Sequence, residues 1–154
     1  MPKHSEAVSP GGAGTSPGKV PGIPIVYIEP IGDTINLNNK VIRFSGIDAP
    51  ELKQTCLLGD QKVSCGLSAK IILIEKIGNV TPKCVSEGKD VYARTLAECF
   101  VNGESLSKFL VRSGYAFAYR KYSTKFIKDE EFAKANKLGM WAMTFQYPWD
   151  FRKA

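Results

Sequence analysis

The sequence predicts an α+β fold, with short strands first and helices after them. Three observations predict it: β-branched and aromatic runs open the folded part, a segment of helical spacing interrupts the strands, and two further helical segments follow. The chain has 154 residues, of which 44% are hydrophobic, so one domain can bury a core. Nothing in the sequence requires a second domain.

Five strands are predicted from runs rich in Val, Ile, Thr, Tyr and Phe. They cover residues 25–28, 34–37, 40–44, 79–85 and 91–101. Asn38-Asn39 is a turn signal between the second and third strands, so the first three strands are expected to form a meander. A tight connection at 86–89 is expected to join the last two strands in a hairpin.

Three helices are predicted, and each ends at a glycine. They extend from Ser64 to Gly78, from Leu106 to Gly114 and from Ser123 to Gly139, and the serines are expected to cap the first and the last. The apolar face of the first helix is expected to carry Leu67, Ile71, Ile74 and Ile77. One helix between the third and fourth of five strands is the order of an OB-type barrel. We therefore predict a five-stranded OB-fold barrel with three helices.

Residues 1–24 are rich in Pro, Gly and Ser and hold almost no large apolar side chain. Such a segment cannot offset the entropy cost of ordering, so we expect a disordered leader or appended segment, with the folded domain over residues 25–154. The leader lacks the apolar core of a secretory signal: either a signal was replaced or the chain is not exported. No apolar run approaches the length of a membrane span, and no membrane partner is expected.

The formal net charge of the chain is +6. Lys3 and Lys19 against Glu6 give the leader about +1, which leaves roughly +5 on the folded part. A basic surface favours polyanionic partners such as nucleic acid. The alternative is a protein that is merely basic and soluble.

Four cysteines stand at positions 56, 65, 84 and 99. They include no CxxC pair and the only histidine is His4 in the leader, so a zinc site fits them badly. Disulfides are favoured over free buried thiols. Of the three possible pairings, Cys56 with Cys65 and Cys84 with Cys99 is favoured, because each pair brackets a short segment that can fold back on itself. Disulfides would imply an oxidising compartment.

An arginine, an aspartate and a glutamate lie within nine residues: Arg43, Asp48 and Glu51. Asp33 stands ten residues before Arg43, and Arg94 follows in a later predicted strand. Carboxylates for a metal, a general base and arginines for a phosphate are the groups that phosphodiester cleavage uses. Turn or capping roles for the aspartates, a solvated glutamate and a surface ion pair of Arg94 are the alternatives.

The predicted strand around Arg43 also indicates the direction of its side chain. Ile42 and Phe44 flank it, and side chains alternate between the two faces of a strand. Ile42 and Phe44 can therefore pack in the core while Arg43 points to the opposite face.

The chain resembles the staphylococcal nuclease (thermonuclease) family over roughly residues 25–145. The matching segments are Gly32-Asp33-Thr34, the run from Ile42 to Glu51, Asp90-Val91-Tyr92-Ala93-Arg94-Thr95-Leu96-Ala97, and the run from Leu110 to Ala116. The four cysteines, residues 118–123 and the tail at 148–152 are similar to the exported bacterial members. The resemblance therefore also supports disulfides and a secreted or periplasmic location.

The resemblance implies a calcium site at Asp33, Asp48 and Ala49, the last through its backbone carbonyl. Oxygen ligands suit a hard cation such as Ca²⁺, with water and a substrate phosphate completing the shell. Two positions depart from the family pattern. Ile31 stands where many members carry an acid, and Ala93 replaces a usual glycine; neither change removes a group with a direct chemical role.

The resemblance also implies catalytic and substrate-binding residues. Glu51 would position or deprotonate the attacking water, and Arg43 and Arg94 would hold the phosphate. Tyr92 and Tyr119 would contact the phosphate and stack on a base, with Tyr122 as a rival for the second role; half-buried tyrosines in a barrel wall are the alternative for all three.

Together with the resemblance, these residues predict a monomeric, calcium-dependent endonuclease that acts on single-stranded and double-stranded DNA and on RNA with little sequence preference. The resemblance implies that the products carry 3′-phosphates. A catalytically inactive OB-fold module that binds nucleic acid is the first alternative. A structural or adhesive exported domain is the second.

Overall fold

The computed structural model describes residues 26–28, 33–121 and 123–153. The predicted disordered leader, together with Ile31 and Tyr122, lies outside these residues. The described part is a mixed α+β domain, as predicted. None of the helices that it contains is both long enough and apolar enough to cross a membrane.

The described chain contains ten short strands, four α-helices and one 3-10 helix. The strands are β1 (Val26–Ile28), β2 (Thr34–Leu37), β3 (Lys40–Phe44), β4 (Ile47–Asp48), β5 (Cys56–Leu58), β6 (Gln61–Val63), β7 (Lys83–Lys89), β8 (Thr95–Val101), β9 (Glu104–Ser105) and β10 (Phe117–Ala118). The helices are α1 (Cys65–Ile77), α2 (Leu106–Arg112), α3 (Ile127–Ala135) and α4 (Pro148–Lys153), and a 3-10 helix spans Gly139–Ala142.

The main sheet has the strand order β1-β2-β3-β8-β7, with β9 beside β8. Strands β3 and β8 are parallel, whereas β2 with β3 and β7 with β8 are antiparallel. Two small sheets, β4 with β10 and β5 with β6, lie outside it. Pairings among the described strands leave this order open, so the sheet is present but the predicted closed barrel is not observed.

The meander is confirmed at its turn. Strands β2 and β3 have the predicted bounds, and Asn38 and Asn39 between them have φ of 53° and 70°. Two successive residues with positive φ form the type I′ turn that matches the twist of a two-residue hairpin.

The predicted turn at 86–89 is wrong, because these residues belong to β7. The register of β7 against β8 shifts between Ser86 and Gly88, so Gly88 lies next to an irregularity within the strand and not in a turn. The chain turns instead at 90–94. The Asp90 carboxylate accepts the backbone N–H groups of Tyr92 and Arg94, each at 2.9 Å, and so holds the turn.

Ala93 in this turn has a φ of 65°, in the left-handed region that costs an L-residue about 1 kcal/mol or more. We expect Ala93→Gly to raise the free energy of unfolding by up to about 1 kcal/mol, the gain being reduced by the extra freedom of glycine in the unfolded chain. Urea unfolding measures it. Ala142→Gly, in the 3-10 helix, is the matched control and should destabilise; a loss of the same size in both variants would contradict the strain.

The first helix ends at Gly78 as predicted, but two details of it were wrong. Ser64 precedes α1 without a side-chain capping hydrogen bond. Leu67 and Ile71 remain 43% and 37% exposed, whereas Ile74 and Ile77 are buried as predicted, together with Ala69 and Leu73. Its first residue, Cys65, is fully buried in a disulfide, and this anchor fixes which face of the helix meets the sheet.

The later helices also differ from the prediction. Ser105, which was not predicted as a cap, accepts the N–H of Lys108 at the start of α2. Ser123 does not cap α3, because its hydroxyl accepts the N–H of Lys125 before that helix begins. Gly139 opens the 3-10 helix rather than ending α3. The described chain also contains α4, so it has more than the three predicted helices.

Two apolar clusters hold these elements together. The larger one lies between the main sheet and helices α1 and α2, with Phe44, Leu73 and Leu110 fully buried in it. The smaller one surrounds Phe117 and includes the Cys56–Cys65 disulfide. The rings that pack on Phe117 come from the C-terminal part of the chain: Trp141, Phe145, Tyr147 and Trp149.

Both predicted disulfides are confirmed, Cys56 with Cys65 and Cys84 with Cys99. The second joins directly paired residues of β7 and β8. Two disulfides are typical of a protein that works outside the cytoplasm.

Removing either disulfide should destabilise the fold, because the bonds close loops of 9 and 15 residues in the unfolded chain. Chain entropy gives about 2.6 kcal/mol for the shorter loop and about 3 kcal/mol for the longer one. The Cys56→Ser/Cys65→Ser and Cys84→Ser/Cys99→Ser double variants, compared by urea unfolding, measure each loss. Mass spectrometry after alkylation of the unreduced protein supplies the control, since four modified thiols would contradict both pairings.

Candidate active site

The predicted carboxylates and Arg43 meet where three strands approach one another. Asp33 precedes β2, Arg43 lies in β3 opposite Thr34, and Asp48 ends β4. The backbone N–H of Phe44 donates to the carbonyl of Asp33 at 2.7 Å, which fixes the start of β2 against β3. Both aspartates are buried, at 0% and 1% exposure, so their charges act through little solvent.

Arg43 lies beside both carboxylates. Its Nη2 is 3.4 Å from Oδ2 of Asp33 and 3.8 Å from Oδ1 of Asp48. Asp33 also accepts the hydroxyl of Thr34 at 3.0 Å and the backbone N–H of Ala49 at 3.1 Å. The structure therefore brings Asp33, Arg43, Asp48 and the backbone of Ala49 together, as the sequence predicted.

Asp48 is the carboxylate of this group whose charge is least well stabilised. Burial and the nearby charge of Asp33 raise its pKa to about 6, against the opposing effect of Arg152 and Arg43. Its Oδ1 is buried and has no hydrogen-bond partner in the described structure. A buried carboxylate oxygen without a donor, facing a second carboxylate, is a place where a cation would lower the free energy.

The donor set for a metal is small. Within the described ranges, no three His, Cys, Asp or Glu side chains lie together as metal ligands. The available donors are the two aspartates and backbone oxygen, and an oxygen-only set with few protein ligands fits a hard cation that keeps water or phosphate in its shell.

Glu51 is positioned by the first turn of α1. Its carbonyl accepts the N–H of Gln54 at 2.9 Å, and Gly66 lies directly against this carbonyl. A Cβ at position 66 would stand 1.8 Å from the Glu51 oxygen, so only glycine permits this approach. The Glu51 side chain is half-buried and points to the same group of charges, with Oε2 at 3.6 Å from Nη1 of Arg152.

Arg94 lies at the end of the 90–94 turn, immediately before β8, the parallel neighbour of β3. Arg43 pairs with Leu96 of the parallel strand β8, and Arg94 stands two residues before Leu96. The contacts of its guanidinium are with the turn, since Nε lies 2.6 Å from Oδ2 of Asp90 and the group lies 5.4 Å from the ring centre of Tyr92. Asp90 thus holds Arg94 in the turn, and none of the side-chain contacts of Arg94 in the described structure is with Asp33, Asp48 or Glu51.

The two described tyrosines of the predicted set lie on different surfaces. Tyr92 is 77% exposed next to Arg94. Tyr119 stacks on Trp149, with ring centres 5.8 Å apart, and lines a cavity of about 400 Å³ together with Arg120 and Lys121. Stacked aromatic rings beside cations form a surface on which a nucleobase can stack.

Arg152 in α4 is a site residue that the sequence did not predict. Its Nη2 lies 2.5 Å from Oδ2 of Asp48, and its Nη1 lies 3.6 Å from Oε2 of Glu51. Asp48 stands 104 positions earlier in the chain. The tail at 148–152 resembles exported family members, but no local pattern in the sequence indicates a contact between Arg152 and a residue so distant in the chain.

Comparison with known proteins agrees with this geometry. A family model described as "Staphylococcal nuclease homologue" matches residues 41–143. The chain is 30% identical over 118 residues to an "Uncharacterized endonuclease" of Haemophilus influenzae, a match that covers 72% of this chain and 61% of that protein. It is 31% identical to the "SPbeta prophage-derived endonuclease YokF" of Bacillus subtilis, over 72% of this chain and 41% of that protein.

A plant protein is also similar. The chain is 28% identical over 115 residues to the "Staphylococcal-like nuclease CAN1" of Arabidopsis thaliana, over 73% of this chain and 33% of that protein. The chain therefore spans less than two thirds of the length of each of these relatives.

Proposed function

The chain belongs to the staphylococcal nuclease family, and from this premise we propose that it is a calcium-dependent endonuclease that hydrolyses phosphodiester bonds of DNA and RNA with little sequence preference. The observation that carries the proposal is the buried pair Asp33 and Asp48 with the Arg43 guanidinium beside both. The names of relatives such as the Haemophilus influenzae endonuclease support the same activity.

The calcium site of the proposal is formed by the carboxylates of Asp33 and Asp48 and the carbonyl of Ala49. Its support is the buried Oδ1 of Asp48, which accepts no hydrogen bond in the described structure, and the oxygen-only donor set. Bound there, Ca²⁺ would supply positive charge to a substrate phosphate as a Lewis acid.

Arg43 and Arg94 hold the phosphate in this proposal. Arg43 lies in β3 and Arg94 immediately precedes the parallel strand β8, and a guanidinium can donate two parallel hydrogen bonds to phosphate oxygens. Each such donor stabilises the charge that grows on the equatorial oxygens in the transition state, an effect of about 10² to 10³ in kcat. Arg94 would exchange its contact with Asp90 for the substrate.

Glu51 is the general base. It takes a proton from a water molecule while the water oxygen forms a bond to phosphorus, and the bond from phosphorus to the 5′ oxygen breaks. The leaving 5′ oxygen takes up a proton from solvent water, Glu51 returns its proton to solvent, and the product keeps a 3′-phosphate. The direction of cleavage rests on the resemblance to the family.

Three tyrosines, Tyr92, Tyr119 and Tyr122, are proposed to bind the parts of the substrate around the reacting phosphate. Stacking on a base contributes about 1 to 3 kcal/mol and tolerates any sequence. The exposure of Tyr92 and the stacking of Tyr119 on Trp149 support the first two roles.

We also propose that the protein is a monomer and that its sheet closes into the OB-fold barrel. The two disulfides support a secreted or periplasmic location, which is also part of the proposal.

The experiment is release of acid-soluble nucleotides from heat-denatured DNA by the oxidised protein, in millimolar Ca²⁺ and in excess EGTA. Release only with Ca²⁺ is the expected result. No release with Ca²⁺ or other divalent ions would overturn the nuclease proposal in favour of the inactive binding module. A salt titration of DNA binding then separates that module, whose affinity falls with salt, from a structural domain with no affinity.

A further inference from the structure

Arg152 is the one side chain in the described structure that contacts both Asp48 and Glu51. Its two terminal nitrogens divide between them, Nη2 to Oδ2 of Asp48 and Nη1 to Oε2 of Glu51. These carboxylates have separate tasks in the proposed function, one in cation binding and the other in accepting a proton. The fork of a guanidinium can bridge two carboxylates at fixed spacing, which a lysine ammonium cannot do in the same way.

The aromatic cluster holds Arg152 in this position. Trp149, one turn earlier in α4, stacks on Tyr147 with ring centres 4.8 Å apart and touches Phe117 with ring centres 6.3 Å apart. Phe117 is itself the strand partner of Asp48 in the pairing of β10 with β4. The same ring therefore locates both the tail and the strand end that carries Asp48, so the contact belongs to the packed fold.

The carboxylates of this contact are more withdrawn from solvent than the guanidinium. The side chain of Arg152 is 33% exposed, whereas those of Asp48 and Glu51 are 2% and 21% exposed. At the buried Asp48 end the charge pair is screened little by salt, and the two contacts restrict the orientation of both carboxylates. The positive charge also stands against Oδ2 of Asp48, where it opposes the approach of a second cation.

We propose that Arg152 is a positioning residue of the active site: it holds Glu51 for proton transfer and, through its bond to Asp48, weakens cation binding. The inference rests on the proposed function. It assigns the C-terminal helix a part in catalysis without contact to the substrate.

The experiment compares Arg152→Ala, Arg152→Lys and the control Lys153→Ala, which removes the same charge from an exposed position of the same helix. At saturating Ca²⁺ we expect Arg152→Ala to lower kcat by about tenfold or more with KM changed by less than about twofold, because the phosphate ligands remain. Arg152→Lys should keep an intermediate kcat, and Lys153→Ala should match the wild type. Circular dichroism confirms that each variant is folded.

Calcium binding without DNA supplies the second readout. By isothermal titration calorimetry, Arg152→Ala should bind Ca²⁺ about fivefold tighter or more than the wild type, because a positive charge next to Asp48 is gone. A purely structural role would weaken binding instead. The inference is overturned if Arg152→Ala has an unchanged kcat or if Lys153→Ala loses as much activity as Arg152→Ala. It is also overturned if the wild type and Arg152→Ala give equal calcium isotherms, which includes the result that neither protein binds Ca²⁺. A wild type that binds Ca²⁺ but does not cleave would refute the proposed function alone, and the isotherms would still decide the role of Arg152.

Discussion

Replacing Glu51 with Gln will lower turnover by a factor of about 10² or more while the fold stays intact. The amide keeps the size of the side chain but cannot accept a proton from water. The backbone contacts of Glu51, with Gln54 and against Gly66, do not involve the carboxylate and will persist. The 3.6 Å approach to Arg152 loses its charge, at a site that is half-buried, so the change in stability should be small beside the change in rate.

Initial rates of nucleotide release, with thermal unfolding of the same samples, measure this result. Glu75→Gln is the matched control, because Glu75 is an exposed glutamate in α1 and the variant has the same change of charge. Turnover within about twofold of the wild type in Glu51→Gln would refute the role of general base.

Replacing Asp48 with Asn will stabilise the metal-free protein above pH 6 and remove its response to Ca²⁺. Burial raises the pKa of Asp48 from 3.8 to about 6, so the folded state holds this proton more tightly than the unfolded state does. The stability that comes from the bound proton is complete below about pH 4 and is lost as the pH rises through 6. The shift corresponds to about 3 kcal/mol, an upper value for the gain in the Asn variant, since Asn also gives up the ion pair with Arg152.

Urea unfolding in EDTA at pH 4.5, 6 and 8 measures the effect. The wild type should lose stability across this range relative to Asp48→Asn, and added Ca²⁺ should stabilise the wild type alone. Asp60→Asn, at an exposed position, controls for the general effect of removing a carboxylate. Parallel pH profiles of the wild type and Asp48→Asn would contradict the raised pKa.

Sequence reasoning succeeded where neighbouring residues decide the structure. The bounds of β2 and β3 follow from the Asn38-Asn39 turn between two β-branched runs. The grouping of Asp33, Arg43 and Asp48 was predictable for a similar reason, since all three lie within a short meander and its extension. Both disulfides close short loops, so local geometry was also sufficient for them.

The failures have physical causes in specific side-chain contacts, some local and some between distant parts of the chain. The turn of the second hairpin was misplaced because Gly88 is the stronger local turn signal, whereas the side-chain bonds of Asp90 decide the matter. The buried face of α1 depends on the anchor at Cys65, which helical periodicity does not contain. The place of Arg152 depends on an aromatic cluster assembled from distant parts of the chain, and no period or motif encodes such packing.

The bond between Arg152 and Asp48 also orders events during synthesis, because the ribosome makes Arg152 104 residues after Asp48. A nascent chain that already contains both aspartates, Glu51 and Arg94 still lacks α4, which carries Arg152. If Arg152 positions Glu51 as proposed, the site becomes complete only after α4 has been made and packed.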